Sequence, residues 1–227
     1  MQIRLLDIYE KLHSSYGIQN WWPSTLEGKT TPEYHGKKPN NRMRFEIALG
    51  AILTQNTTWT NAQKAITNLN AHALISPGKI LSHRKEILLE AIRPSGYYNQ
   101  KLKNLINLSE WWLKHFPDVI VGSKDTKYID NVRESVLTVN GVGPETVDSI
   151  LLYAFDLPSF VIDTYTKRIM TRHYSFSPNI KYETMRDKFM NELPQDIQLY
   201  KEFHALFVEL GKNHCKKSIC LPSCPLR

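Results

Sequence analysis

Three groupings in this 227-residue sequence have residue types and spacing that could do chemistry. The first is Asp163, in the run Phe160-Val161-Ile162-Asp163-Thr164-Tyr165. An Asp placed just before a helix caps its orphan N–H groups, and the helix dipole favours an ionised carboxylate there. Such a carboxylate can also steady a nearby developing positive charge or orient a water molecule. On the residues alone capping is the commoner role, and the two roles are compatible. The second grouping is Asn140-Gly141-Val142-Gly143-Pro144-Glu145-Thr146. Two glycines permit the positive φ values of a tight turn, Val142 can anchor it inward, and Pro144 suits a first helical position. Backbone N–H groups at such a turn and helix start can hold a phosphate, and equally the segment can be an ordinary corner. The third grouping is Cys215, Cys220 and Cys224, spaced C-x4-C-x3-C at the end of the chain.

Composition limits what surrounds these groups. The net charge of +7 allows an anionic partner without requiring one. A hydrophobic content of 41% with 22% charged residues is ordinary for a folded globular chain and argues against disorder. No apolar stretch approaches the ~20 residues of a membrane span; the best, 149–155, ends at Asp156. Met1-Gln2-Ile3-Arg4 runs directly into an amphipathic pattern rather than a signal peptide. All three cysteines fall in the last thirteen residues, so no disulfide framework is expected. The expectation is a soluble, cytoplasmic protein.

The elements that must position the three groupings are helices. Apolar residues recur at helical spacing in Leu5/Ile8/Leu12, Phe45/Ala48/Ile52, Ala62/Ala65/Ile66/Leu69, Leu88/Ala91/Ile92, Leu102/Leu105/Ile106 and Phe203/Leu206/Phe207/Leu210. Further helices are expected near 131–137, 144–155, 165–173 and 182–193. Residues 20–41, with three prolines, read as a long polar connection. Only Ser159–Ile162 looks strand-like. The predicted fold is all-α, with about nine or ten short helices.

The hairpin and the aspartate together resemble the helix-hairpin-helix/Gly-Pro-Asp (endonuclease III) superfamily of DNA glycosylases. Three further motifs agree in family order: Leu53-Thr54-Gln55-Asn56-Thr57, Arg93-Pro94-Ser95-Gly96-Tyr97-Tyr98-Asn99-Gln100-Lys101, and Phe203-His204-Ala205-Leu206 through Leu210-Gly211-Lys212. The resemblance covers most of the chain from about residue 43 onward. It implies a two-lobed fold: a six-helix lobe over 42–155 carrying the hairpin, and a second lobe of 1–41 plus 156–227 carrying Asp163 and the cysteine tail. It implies that Asp163 is catalytic, stabilising the sugar cation as the glycosidic bond breaks. Asn140, Gly141, Val142 and Gly143 would grip the DNA backbone without reading sequence. Gln55 and Tyr97 would wedge into the gap left by the flipped nucleotide, whose extrusion costs a few kcal/mol. Lys101, behind the Tyr97 loop, is expected to contact phosphate or simply to be solvated.

Bifunctional members of the superfamily carry a lysine where Glu145 stands, and its amine forms a Schiff base with the sugar. Glutamate cannot, so a monofunctional, water-using enzyme is expected. Trp21, Trp22 and Pro23, with Phe45 and Glu145, resemble the base pocket of the branch that removes 3-methyladenine and other alkylated purines, although by its own pattern Phe45 reads as a core residue of its helix and Glu145 as a first-turn acidic residue. Cationic alkylpurines stacked on such rings gain about 0.5–2 kcal/mol. The alternatives are a uracil or mismatched-thymine glycosylase, an endonuclease III-like enzyme with weak AP lyase activity, and a non-catalytic DNA-binding module. The expected partner is double-stranded DNA holding a damaged base. The protein is expected to be a monomer, associated with the nucleoid through DNA and not with a membrane.

No cofactor is needed for this chemistry. Many members end in a C-x6-C-x2-C-x5-C loop holding a [4Fe-4S] cluster. Cys215, Cys220 and Cys224 resemble it in their Cys-Pro-Leu context but differ in spacing and lack the fourth thiolate. His214 is awkwardly placed to replace it. A degenerate tail with free thiols is the expectation, and a bound cluster the alternative.

Overall fold

The helix starts at Asn41, Trp59, Thr126, Thr164 and Ile197 are set by short polar side chains that accept N–H groups the first turn leaves without partners. Asn40 accepts from Met43 N (2.9 Å), Thr58 from Asn61 N (3.4 Å) and Asp125 from Tyr128 N (3.1 Å). Asp196 accepts from Gln198 N and Leu199 N. Pro77 and Pro144 occupy first-turn positions where a missing N–H costs nothing. The computed structural model describes residues 4–227, so the expectation for Met1–Ile3 lies outside the described residues.

The resulting helices are α1 (Leu5–Tyr16), α2 (Asn41–Leu53), α3 (Trp59–Ala71), α4 (Pro77–Ser82), α5 (Lys85–Ile92) and α6 (Tyr98–His115). They continue with α7 (Thr126–Leu137), α8 (Pro144–Ser149), α9 (Thr164–His173), α10 (Tyr182–Glu192) and α11 (Ile197–Asn213). Helix α8 runs on through a π-helical turn, Ile150–Ala154. No helix among the described residues is long and apolar enough to cross a membrane. The fold is all-α, as expected. Ser159–Ile162 is not a strand: it is buried, irregular chain, and its apolar side chains go into a helical core rather than a sheet.

Two units divide the chain. One holds Trp22–Leu157, and the other holds the chain up to Trp21 with Pro158–Arg227. The first therefore begins earlier than the 42–155 lobe expected from sequence and contains α2–α8 rather than six helices. Polar anchoring explains the difference. Thr25 N donates to the buried Glu46 carboxylate of α2 (2.6 Å), Asn70 of α3 donates to Thr30 O, and Gln63 donates to Pro32 O. The polar connection is thus part of this unit. At its centre α2 is buried on all sides from Met43 to Leu53, and its Arg44 pairs with Asp156 at 3.1 Å.

In the other unit, α1 and α9 pack on α11. Its core is aromatic: Phe160, Phe189, Tyr200, Phe203 and Phe207 meet ring to ring at 4.4–6.0 Å. Gly211 permits the close approach of α9 to α11. A Cβ there would lie 2.2 Å from the Tyr165 ring.

Candidate active site and nucleic-acid interface

Asp163 caps α9 through one carboxylate oxygen and keeps the other out of any hydrogen bond. Its Oδ1 accepts from Thr166 N (2.7 Å) and from the Thr166 hydroxyl (2.8 Å). Its Oδ2 lies 3.8 Å from His204 Nε2, on the buried side of α11. That is beyond hydrogen-bond length. Burial pushes the His204 pKa down, and the neighbouring Asp163 charge only partly opposes this. The imidazole is therefore neutral at neutral pH, and no cation is spent on the carboxylate.

The half-buried Trp21 also meets His204, edge to face at 5.6 Å. Lys212 Nζ lies 5.8 Å from the Trp21 ring centre. The segment before Trp21 is held by Glu202, whose carboxylate accepts from Gln19 N (2.7 Å) and Asn20 N (3.2 Å) while Asn20 takes a positive φ of 56°. One aromatic ring, one neutral imidazole and one carboxylate thus stand in sequence. Sequence reading found Trp21 and Asp163 but gave His204 and Glu202 no role. The signals that could have marked them are the place of His204 in the Phe203-His204-Ala205-Leu206 motif and the presence of two polar residues, two apart, within an apolar helix.

The hairpin lies in the Trp22–Leu157 unit. Its two helices are locked by Arg133 of α7, which donates to both oxygens of the buried Asp148 of α8 at 2.8 and 3.0 Å. Val142 is buried, while Asn140, Gly141 and Gly143 face outward. Polar residues of α6 bind the turn from behind: Asn107 donates to Asn140 O (3.1 Å) and Asn104 to Gly141 O (3.4 Å). With the Asn140 carbonyl drawn inward, the N–H of the same planar trans peptide, on Gly141, points the other way. Gly141 is obligatory here, with φ +89° and room for a Cβ only 2.1 Å from Asn104 Oδ1.

Of the expected wedge residues, Tyr97 stands out from the surface, 74% exposed, with φ 47° after Gly96 at φ 68°. Gln55 is different from a projecting wedge. It is half-buried, and its Nε2 donates to Gly141 O (3.1 Å) and Thr146 Oγ1 (3.0 Å) of the hairpin. Lys101 is a plain correction. It is 2% exposed, so it is not a surface contact for phosphate. Its Nζ donates to Leu53 O (2.8 Å) and Ser95 O (2.7 Å), tying the end of α2, which leads to Gln55, to the loop that carries Tyr97. Burial lowers its pKa to about 8.

The remaining pocket candidates separate. Trp22 sits in the same unit as the hairpin, against Trp59 (6.0 Å) and Tyr153 (5.3 Å), and Pro23 is buried beside it. Phe45 is 1% exposed and packs on Trp112 at 5.2 Å; it belongs to the helical core, not to a stacking surface, because α2 is enclosed on every side. Glu145 is an exposed acidic residue in the first turn of α8. An open groove of about 460 Å³ runs along α9, lined by Thr164, Lys167, Arg168, Thr171, Arg172 and Pro178.

In the tail, Cys215, Cys220 and Cys224 are buried, and a backbone bridge pairs Cys215 with Cys220. The fourth donor at these thiols is one that sequence reading missed. His173 Nε2, at the end of α9, lies 3.7, 3.5 and 3.9 Å from the three sulfurs. His214 is engaged elsewhere, its Nδ1 2.6 Å from the Tyr16 hydroxyl. A [4Fe-4S] cluster needs four ligands spread around a cube of irons and sulfides. With His173 Nε2 within 3.9 Å of all three sulfurs, these donors crowd around one point and do not fit it.

Comparison with known proteins agrees with this architecture. A family model described as "HhH-GPD superfamily base excision DNA repair protein" matches residues 49–195. The provisionally named DNA repair glycosylase MJ1434 of Methanocaldococcus jannaschii is 40% identical over 220 residues, covering 97% of this chain and 92% of its own length. Endonuclease III of Sulfolobus acidocaldarius is 28% identical over 221 residues, covering 94% and 89%. The crystal structure of Helicobacter pylori 3-methyladenine DNA glycosylase (MagIII), bound to 1,N6-ethenoadenine, superimposes with a TM-score of 0.69. It is 26% identical, over 92% of this chain and 98% of that one.

Proposed function

Because the chain belongs to the HhH-GPD superfamily of base excision DNA repair proteins, we propose that it is a monofunctional DNA glycosylase that releases alkylated purines from double-stranded DNA. The observation that carries this reading is the line Trp21–His204–Asp163, a half-exposed indole one ring away from a carboxylate with an uncommitted oxygen. A cationic base such as 3-methyladenine stacked on Trp21 gains cation–π attraction. Its glycosidic bond is already weakened, so it leaves without a dedicated acid. Asp163 Oδ2 then faces the positive charge on the sugar and holds the water that attacks it. The neutral His204 keeps that charge unneutralised until the transition state needs it. MagIII, a 3-methyladenine glycosylase holding an ethenopurine, supports the substrate class by likeness.

Glu145 supports the monofunctional half of the proposal, since a carboxylate at the start of α8 offers no amine for a Schiff base. Gly141 N–H and the exposed face of the hairpin would hold the phosphate backbone, and Tyr97 would fill the gap in the stack. The protein would act as a monomer in the cytoplasm, on the nucleoid.

Single-turnover excision on duplexes holding 3-methyladenine, 7-methylguanine, ethenoadenine, uracil, mismatched thymine or an oxidised pyrimidine tests the proposal. Release of the alkylated purines, with no borohydride-trapped protein–DNA adduct, is expected. Activity confined to uracil, mismatched thymine or oxidised pyrimidines overturns the substrate class, and an efficiently trapped adduct overturns the water-based mechanism.

A further inference from the structure

The geometry at the C-terminal tail points to a mononuclear zinc site formed by Cys215, Cys220, Cys224 and His173, in place of an iron–sulfur cluster. Three observations carry it. The first is spacing. Tetrahedral zinc with bonds of about 2.3 Å to sulfur and about 2.0–2.1 Å to nitrogen sets its sulfurs about 3.6 Å from its nitrogen. His173 Nε2 lies 3.5 to 3.9 Å from the three Sγ atoms, and Nε2 with the sulfurs of Cys220 and Cys224 forms a group within 4.8 Å of one another.

The second is the donor set. Three thiols and one imidazole, all from the protein, make a closed structural set of the Cys₃His kind, with no position left for water or substrate. The third is charge and support. Three thiolates around a dication leave one negative charge, and Arg172 Nη1 stands 3.2 Å from Cys215 Sγ to offset it. Arg172 also donates to Lys216 O and Lys217 O, and Arg168 donates to Cys215 O and Gly211 O. The tail backbone is thereby shaped from α9 before any ion arrives, as the surroundings of metal sites commonly are.

The location gives the site a purpose. His173 ends α9, the helix that Asp163 begins. At 1.5 Å per residue the two ends are about 15 Å apart, too far for the ion to touch the chemistry. The zinc instead adds its bonds to those of Arg168 and Arg172 in fastening the far end of the helix that presents the carboxylate to the irregular tail. This role is independent of which base the enzyme removes.

The test is metal analysis of the full-length protein expressed with both iron and zinc available and purified under reducing, anaerobic conditions. About one zinc per chain is expected, with iron and acid-labile sulfide at background. X-ray absorption at the zinc edge should show three sulfurs and one nitrogen, and cobalt substitution should give the visible bands of a tetrahedral thiolate site. Chelation should lower the melting temperature by at least ~5 °C, and re-addition of zinc should restore it. His173→Ala should lose stoichiometric zinc, whereas His173→Cys should keep it as a four-thiolate site. Iron with stoichiometric sulfide, or purified protein that neither contains nor takes up zinc, overturns the assignment. Because the metal is read directly on the wild-type chain, the outcome does not depend on any variant folding.

Discussion

Asp163 offers Oδ2 to the Nε2 of His204 across 3.8 Å, while Thr166 takes its Oδ1 with two hydrogen bonds. The two oxygens of one carboxylate are thus divided between two tasks. One completes a helix start and fixes the side chain's rotamer. The other faces a buried imidazole that desolvation keeps neutral. A charged partner at that place would have tied up the negative charge needed against a sugar cation.

That division makes Asp163→Asn informative. The amide oxygen still accepts from Thr166 N, so the cap persists and stability should change by no more than about 1 kcal/mol. Duplex affinity should also persist. Base release should fall by ~10³-fold, because the neutral side chain cannot stabilise the cation. Thermal melting, anisotropy with abasic-analogue DNA and single-turnover excision separate the three; excision near the wild-type rate would remove Asp163 from the mechanism.

Adjacent tryptophans should behave oppositely. Trp21→Ala removes a half-exposed ring and should cost little stability, yet slow release of cationic purines by about 10-fold or more for the lost stacking. Trp22→Ala removes a ring packed against Trp59 and Tyr153, beside Gly50, and should destabilise the fold by about 2–3 kcal/mol. Denaturant titration and excision kinetics on both variants check the contrast. A Trp21→Ala enzyme with unchanged alkylpurine kinetics would leave the stacking role without support.

Gly141→Ala should distort the hairpin, since the residue needs φ +89° and its new methyl would meet Asn104 Oδ1. A cost of about 1–3 kcal/mol is expected from strain at a left-handed position. Affinity for duplexes should drop by a similar factor whatever their sequence or lesion, because the hairpin addresses backbone. Binding isotherms on damaged and undamaged duplexes provide the measurement, and a loss restricted to damaged DNA would contradict the assignment.

Lys101 has a pH signature. With its pKa lowered to about 8 in the fold and near 10.4 in the unfolded chain, the unfolded state holds the extra proton between those values. Stability therefore rises with pH across that window, by up to about 3 kcal/mol, and the penalty is fully present below it. Lys101→Met lacks this titration and loses two hydrogen bonds. Urea unfolding of both proteins at about pH 7 and about pH 10 should show the wild type gaining on the variant as pH rises. A constant difference between them would mean that the buried amine is not perturbed.

The composition of the chain, its helical periodicity and its caps were enough to predict an all-α protein, because those signals act within a few residues. The same locality let Asn140–Thr146 be recognised as a hairpin and Asp163 as a helix start with a carboxylate to spare. Burial and partnership across the sequence could not be read that way. Phe45 and Lys101 look like plausible contacts for base and phosphate until α2 proves to be enclosed on all sides and Lys101 Nζ is found between Leu53 O and Ser95 O. His204 stands within a family motif but nothing local assigns it a role, and His173 carries no local mark at all. Each becomes meaningful only because packing of α9, α11 and the tail brings it to a carboxylate or to three thiols forty or more residues away in sequence. Local backbone preference wrote the elements into the sequence, whereas the choice of which side chains share a site was made by the packing of those elements, which the sequence displays only once it has folded.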